Sequence, residues 1–199
     1  MIKSIAKISI FLWILSGLDF AGFAASPAPK DPIFIVTKDG FKGFYPGNAE
    51  YVEFSLPGKE IKVQDPYHII LKPNFGMMLT FVDKTQLGNN PDLLSAHAQW
   101  ELDYWRQKAG KAQLVHRDEL SMGNPALKVS EIDFASQGPI KSLYLIGLVS
   151  KDGVYVFSIS PANQEIDALA KDIIASIKLT PKTLDVDEVK RLSEAERNK

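Results

Sequence analysis

The chain has 199 residues, with 23 Lys or Arg, 24 Asp or Glu, no cysteine and a formal net charge of −1. Without cysteine it can form no disulfide and carry no lipid at a lipobox, so an ordinary apolar core must stabilise it. A near-neutral charge without a basic block argues against nucleic-acid binding, which needs a concentrated positive surface. The apolar content of 45% is that of an average globular protein, which excludes disorder of the whole chain.

The N-terminus has the three-part layout of a secretory signal. Lys3 and Lys7 precede an apolar run over residues 8–18, and the small residues Gly22 and Ala24 follow. The alternative is an uncleaved anchor, but Asp19 interrupts the run after about half of the roughly 20 residues that a spanning helix needs. The pattern therefore predicts a signal peptide over 1–24 and a protein in the periplasm or outside the cell. No stable membrane span is expected after cleavage.

The next segments predict a tether and then a run of strands. Residues 25–32 are rich in proline and read as an extended tether before a single α+β domain over 33–180. Strands are predicted at 33–38, 51–56, 61–64, 67–71 and 77–83, separated by turns that contain Pro, Gly or Asn. The stretch 41–48 contains two glycines and a proline, so we expect a loop there that carries Phe41, Phe44 and Tyr45.

A long helix is predicted after Asn90. Asn90 can cap it, Pro91 suits the first turn, and Gly110 stands in the usual C-terminal position. Apolar residues recur at spacings of three and four from Leu94 to Ala109, with a second stripe beside them. So broad an apolar arc predicts a helix that lies against a sheet.

The second half of the domain reads as an antiparallel run that a helix closes. Strands are predicted at 113–117, 126–135, 142–150 and 154–160, with a hairpin at Asp152-Gly153 and a bulge near Ser130-Glu131. A helix over 166–177 follows, and a charged helix or tail over 181–199 has Asp185 and Glu188 placed like a capping box. The fold predicted is α+β, with a mostly antiparallel sheet packed by helices.

Residues 123–179 resemble the PsbP/Mog1-like group, which includes the bacterial DUF1795 and DcrB-like proteins. The resemblance is carried by GNPALKVSEIDF, by the hairpin KSLYLIGLVSKDGVYVFSISP and by the final helix DALAKDIIASIKL. It implies an α/β/α sandwich and no shared active site. Members serve as photosystem accessory proteins, a Ran-binding factor, envelope proteins and chaperones for type VI secretion effectors. The signal-like N-terminus departs from the cytoplasmic effector chaperones, and the missing lipobox cysteine departs from the envelope lipoproteins.

No pattern predicts a catalytic, metal or cofactor site. His97 and Glu101 lie one helical turn apart and could share a metal, but a salt bridge or packing contact is the commoner use of such a pair. His116, Asp118 and Glu119 are interpreted as solvated side chains at the end of a strand. Three other groups are interpreted as ordinary structure, namely the carboxylates Glu131 and Asp133, the core methionines Met77 and Met78, and the helical aromatics Trp100, Tyr104 and Trp105.

Two classes of function remain open. The first is an exported, non-enzymatic binding or accessory protein whose partner is another envelope protein. The second is a periplasmic hydrolase or ligand-binding enzyme whose site is assembled from strand ends. For the first class, the candidate partner-binding residues are Phe41, Phe44 and Tyr45, which either fold back as a core plug or present an apolar patch.

Overall fold

The computed structural model describes residues 31–88, 90–121, 126–134 and 141–197. The predicted signal peptide and most of the predicted tether lie outside these residues. The strands described are β1 (Ile33–Thr37), β2 (Gly40–Pro46), β3 (Tyr51–Pro57), β4 (Lys62–Val63), β5 (His68–Lys72), β6 (Phe75–Asp83), β7 (Ala112–His116), β8 (Leu127–Phe134), β9 (Ser142–Val149), β10 (Gly153–Ser160) and β11 (Lys178–Thr180). The helices are α1 (Leu93–Ala109), α2 (Asp118–Ser121), α3 (Gln164–Ser176) and α4 (Val186–Arg197).

The strands form two sheets within the described residues. A small four-stranded sheet has the order β1-β2-β3-β11, and a large seven-stranded sheet has the order β4-β5-β6-β10-β9-β8-β7. Each pair of neighbouring strands is antiparallel. This confirms the α+β class and the antiparallel pairing, but the strands are divided between two sheets where the sequence predicts one.

The main core lies between the two sheets. Alternate residues of a strand point to opposite faces, so most strands contribute one set of side chains to this interior. The small sheet supplies Val52, Phe54 and Leu56, and the large sheet supplies side chains such as Leu79 and Phe157. Helix α3 packs along β3 and closes the same core with Ile166, Ala170, Ile173 and Ile174.

Each sheet also has an outer face with a helix on it. Helix α1 packs over β7, β8, β9 and β10 of the large sheet, around a second cluster that includes Leu102, Leu145 and Val156. Helix α4 packs across the outer face of the small sheet, where Val189 contacts a third cluster that contains Ile35 and Phe44. The described layers therefore run from α1 through the large sheet and the small sheet to α4.

The loop prediction for 41–48 is wrong, because most of this stretch is strand β2. It pairs with β1 on one side and β3 on the other, with Phe44 opposite Glu53. The glycine that suggested a loop has a packing role. A Cβ atom on Gly43 would lie 2.3 Å from the ring of Phe54 on the neighbouring strand, so a larger residue at this position would collide with that ring.

Strand β8 contains no bulge, so that prediction is also wrong. Its register with β7 and with β9 is continuous through Ser130 and Glu131. The apolar residues change from one face of the strand to the other, because its first half packs into one core and its second half into another. Leu127 and Val129 face the inter-sheet core, whereas Ile132 and Phe134 face the cluster under α1.

The helix ends also differ from their predictions. Asp92 caps α1 by accepting a hydrogen bond from the Ser95 backbone N–H at 3.0 Å, while Asn90 accepts one from the Asp92 N–H. Helix α3 ends at Ser176, because Lys178–Thr180 then pairs with β3 as strand β11. The charged C-terminal segment forms α4, and the Asp185 side chain accepts from the Asp187 N–H at its start.

Candidate functional site

The orientation of α1 on the large sheet follows from two contacts on one flank of the helix. The Lys128 ammonium on β8 donates to Ser95 Oγ at 2.7 Å, and Arg106 Nε donates to the Ala112 carbonyl on β7 at 3.2 Å. At 100° per residue, His97 and Tyr104 lie on the opposite flank. That flank is therefore directed toward β10 and β6.

The flank directed toward β6 carries a ridge of rings. The ring centroids of His97 and Trp100 are 6.1 Å apart, and Trp100 stacks on Tyr104 at 6.3 Å. The sequence reading of these aromatics as core is wrong for Trp100, which is 38% exposed. Trp105, by contrast, is half-buried and packs against Phe134 with 4.7 Å between centroids. We call Trp100 and Tyr104 the aromatic ridge.

Two titratable groups lie beneath the aromatic ridge. His97 is buried, and this burial lowers its pKa to about 4. Burial also raises the pKa of Glu101 to about 7. The nearby indole N–H of Trp105 lowers this pKa to a smaller extent, although its geometry is not that of a regular hydrogen bond. His97 Nε2 stands 3.7 Å from Glu101 Oε1 and has no hydrogen-bond partner within the described residues. Burial therefore favours the uncharged form of both side chains.

The large sheet continues beyond α1 as a partly exposed surface. Among the described residues, no helix packs extensively against β4, β5 or β6. Register places Ser158, Met78 and His68 in one row that extends from Leu145 under α1, because these residues are direct cross-strand neighbours. The outward-facing, half-buried residues of this region form what we call the open face, namely His68, Ile70, Met78, Thr80 and Ser158.

His68, at the end of the open face furthest from α1, has its imidazole oriented by Asp65. His68 Nδ1 lies 2.8 Å from Asp65 Oδ2, and Asp65 Oδ1 accepts hydrogen bonds from the backbone N–H groups of Tyr67 and His68. Contact with a carboxylate favours the proton on Nδ1 and leaves Nε2 as the second polar atom of the ring. The open face thus combines an oriented imidazole and two hydroxyls with the apolar side chains Ile70 and Met78.

The three aromatics predicted as partner-binding residues are divided between the two faces of β2. Phe41 and Tyr45 point into the inter-sheet core, where Tyr45 meets Tyr155 with 5.1 Å between ring centroids. Phe44 points outward and lies under α4. Phe44 and Tyr45 are 1% and 2% exposed, so these two rings form no open patch in this structure.

A polar network joins the ends of several strands and helices. The Arg117 guanidinium donates to Glu119 and Glu131 and lies 5.4 Å above the ring of Tyr144. The Tyr144 hydroxyl in turn donates to Asp167 on α3. Because each charge in the network has a partner, the arrangement ties α2, β8 and α3 together.

One pair in this region has the residue types of a hydrolase nucleophile and base. His116 Nδ1 lies 3.3 Å from Ser130 Oγ. However, Ser130 is buried and faces the side of the sheet that α1 covers. A nucleophile must be reachable by its substrate, so this contact reads as a hydrogen bond between neighbouring strands.

The part of the chain that the structure describes contains no candidate metal centre and no helix that could span a membrane. No group of three or more His, Cys, Asp or Glu side chains there is arranged to hold a metal ion. None of the helices described is both long and apolar enough to cross a membrane. Comparison with protein families, with curated proteins and with solved structures finds no match to this chain.

Sequence reasoning missed most of the open face. Residues 77–83 read as a nearly continuous apolar strand, which correctly places β6 in the interior of the sheet between β5 and β10. The finer signal is the burial alternation, in which Met77 and Leu79 are buried while Met78 and Thr80 are half-buried. Met78 is apolar like its neighbours, so composition alone does not show that the outer face of β6 is partly open.

Proposed function

We propose that this protein is an exported, non-enzymatic binding or accessory protein of the cell envelope, with a domain of the PsbP/Mog1-like kind. The signal-like N-terminus supports the location, and the antiparallel α+β architecture is compatible with the resemblance in residues 123–179. The observation that carries the proposal is the open face beside the aromatic ridge. A shallow surface of mixed polarity with an exposed tryptophan at its rim is typical of macromolecular recognition.

The enzymatic alternative has less support from the geometry. The buried Ser130 makes its contact with His116 unsuitable for attack on a substrate. In the Arg117 network, the guanidinium is paired with Glu119 and Glu131 of the same chain, so it is not free to bind a substrate. Buried His97 and Glu101 have shifted pKa values, as catalytic groups often do, but desolvation in a helix–sheet interface accounts for both shifts.

Site-specific photocrosslinking tests the proposal. A benzophenone amino acid replaces Met78 on the open face in one variant and Gln99, on the exposed opposite flank of α1, in a matched control. Irradiation of cells that export the protein should give one discrete macromolecular adduct from position 78 and none from position 99. Adducts of equal yield at both positions, or none at position 78, would contradict recognition by the open face.

A further inference from the structure

The two sheets have four edge strands among the described residues, and three of these edges are protected. Strand β4 has two residues and includes Lys62, and β11 has three residues and begins with Lys178. On β7, the Arg106 side chain of α1 donates to the Ala112 backbone carbonyl. Short edge strands, lysine side chains and covered backbone groups all hinder pairing with a further strand. Strand β1 has none of these features, because its five residues include neither a charge nor a proline.

The hydrogen-bond pattern of the small sheet identifies the free backbone groups of β1. The Gly58 N–H donates to the Asp39 carbonyl at 2.7 Å and continues the β2–β3 ladder. Because hydrogen-bonded pairs alternate along an antiparallel ladder, the odd-numbered residues of β2 bond to β3 and the even-numbered ones bond to β1. These even-numbered residues lie opposite the odd-numbered residues of β1. The N–H and C=O groups of Phe34 and Val36 therefore point away from β2, to an edge that no other described strand occupies.

The side chains beside these free groups are apolar. Phe34 packs on the inter-sheet core and meets Phe54 with 5.9 Å between ring centroids. Val36 lies opposite Phe41 and is 64% exposed. Because directly opposite residues of neighbouring strands share a face, a strand added at this edge would place side chains against Phe34 and Val36. The same edge therefore combines free backbone groups with an apolar side chain that is largely uncovered.

We propose that β1 is a strand-addition site, at which an extended segment of a partner protein pairs with the free edge of the small sheet. Two N–H and two C=O groups in one line match another peptide backbone, whereas an acyl chain or a glycan lacks donors and acceptors at strand spacing. The partner residues opposite Phe34 and Val36 are expected to be apolar, because their side chains would face the inter-sheet core. The site is separate from the open face, so it does not depend on the function proposed above.

The position of α4 argues against a second copy of this chain as the partner. Among the described strands, α4 packs mainly against β1. Pairing of β1 with itself across a twofold axis would place two β1 strands, and the helices above them, roughly 5 Å apart. Packed helices need about 8–10 Å between their axes. An extended segment without such a helix meets no such obstacle.

A soluble synthetic peptide, in which valine and threonine alternate between flanking lysines, serves as the probe. Its valines are the residues expected opposite Phe34 and Val36. When the peptide is bound to the full-length protein, the amides of Phe34 and Val36 should exchange at least tenfold more slowly than in the free protein. The amides of Leu114 and His116, which point to the edge of β7, are the matched control and should not change.

Backbone methylation of the peptide separates strand pairing from apolar contact. A residue opposite Phe34 or Val36 directs its own N–H toward β1, so methylation of the valine nitrogens should weaken binding by about tenfold or more. Methylation of the threonine nitrogens, which point away from β1, should leave the affinity within about threefold of the unmodified peptide. Fluorescence anisotropy of the labelled peptides on the wild-type protein measures all three affinities.

Two variants test the same edge from the side of the protein. Val36→Pro removes a free N–H and leaves the bonds between β1 and β2 in place, because proline is tolerated where the strand edge faces solvent. It should bind the unmodified peptide about tenfold more weakly or worse. Val36→Thr is the matched control, since it keeps the backbone and the β-branched shape, and should bind like wild type. If Val36→Pro does not fold, the methylated peptides on the wild-type protein still decide the question.

Three results would overturn the proposal. In the first, the wild-type protein does not bind the unmodified peptide. In the second, the two methylated peptides bind with equal affinity, which would reduce the contact to apolar adhesion. In the third, sedimentation shows a dimer of the wild-type protein that Val36→Pro dissociates, which would make a second copy the occupant of this edge.

Discussion

The space between the two sheets and the outer layers of the molecule are built differently. Between the sheets, apolar side chains from the large sheet, the small sheet and α3 meet one another, and aromatic pairs such as Phe54 with Phe157 lie edge to face at 5.0 Å. Each outer face carries one helix. Helix α1 buries a histidine and leaves the side chain of Glu101 17% exposed, and α4 contacts the sheet through a leucine and a valine. From this difference we expect most of the stability to reside between the sheets and the outer layers to respond more readily to pH and to hydrogen exchange.

Truncating the interior should have the largest effect. Phe54 is buried and contacts both Phe34 and Phe157, so Phe54→Ala removes a ring that the surrounding strands cannot replace. Such changes cost about 3–5 kcal/mol. Urea unfolding should show the loss as a lower midpoint. A cost below about 1 kcal/mol would mean that the inter-sheet space is not the main core.

The pair under the aromatic ridge should respond to pH in two opposite ways. Burial raises the folded-state pKa of Glu101 from 4.5 to about 7. Its contribution to the free energy of unfolding is therefore complete below pH 4.5 and is lost as the pH rises to 7. Burial lowers the folded-state pKa of His97 from 6.5 to about 4, so its contribution to the same free energy is complete above pH 6.5 and is lost as the pH falls to 4. Between pH 4.5 and 6.5 the two slopes have opposite signs, so they offset each other in the wild type.

Removing one member should reveal the slope of the other. With Glu101→Gln, the free energy of unfolding should rise from pH 4 to 6.5 by up to about 3 kcal/mol. With His97→Gln it should instead fall from pH 4.5 to 7 by a similar amount. Each profile is compared with that of the wild type, whose other titrating groups are the same. Parallel profiles for both variants and the wild type would show that the two groups are not buried in uncharged form.

Shortening the anchor of α4 should cost less. Val189→Ala removes two methyl groups from the contact with Ile35 and Phe44, which is worth about 1.5 kcal/mol. Val189 leaves the sheet whether α4 opens alone or the whole domain unfolds, so urea unfolding should show the full loss as a lower midpoint. A loss as large as that of Phe54→Ala would contradict the expectation that the interior contributes more than the outer layer.

The smallest effect is expected at the exposed side chains of α4. Leu192→Ser should change the free energy of unfolding by less than about 0.5 kcal/mol, because Leu192 remains partly exposed and belongs to none of the core clusters described. Thermal unfolding of this variant beside Val189→Ala compares two apolar residues of one helix. A loss as large as that of Val189→Ala would mean that α4 contacts the sheet through a wider surface.

The sequence predicts local elements better than their assembly. Turn residues and period-two patterns locate most strands, and the spacing from Leu94 to Ala109 gives α1. The same rules fail at β2, because its glycine serves the ring of Phe54, a partner that is distant in sequence. They fail at β8 because one strand faces two cores in turn. The division into two sheets depends on long-range pairings, such as that of β11 with β3, which leave no local signal.

The candidate surfaces were harder to predict than the fold. The aromatics of residues 41–48 attract attention as a group, yet the alternation of β2 sends Phe44 outward and Tyr45 inward. Phe44 points outward but is covered by α4. Because α4 lies at the C-terminal end of the chain, no local pattern near residue 44 predicts this cover. Met78 on the open face looks like core because it is apolar like its neighbours in the strand, although one face of an antiparallel sheet can be open to solvent.

Native-state hydrogen exchange tests the contrast between interior and outer layers most directly. The amides of α3 pack against the inter-sheet core, so they should exchange only when the whole domain unfolds. The amides of α4 should exchange through a local opening whose free energy is several kcal/mol lower and nearly independent of denaturant at low concentrations. Equal protection and equal denaturant dependence of the α3 and α4 amides would contradict this contrast, because the interior and the outer layer would then unfold as one cooperative unit.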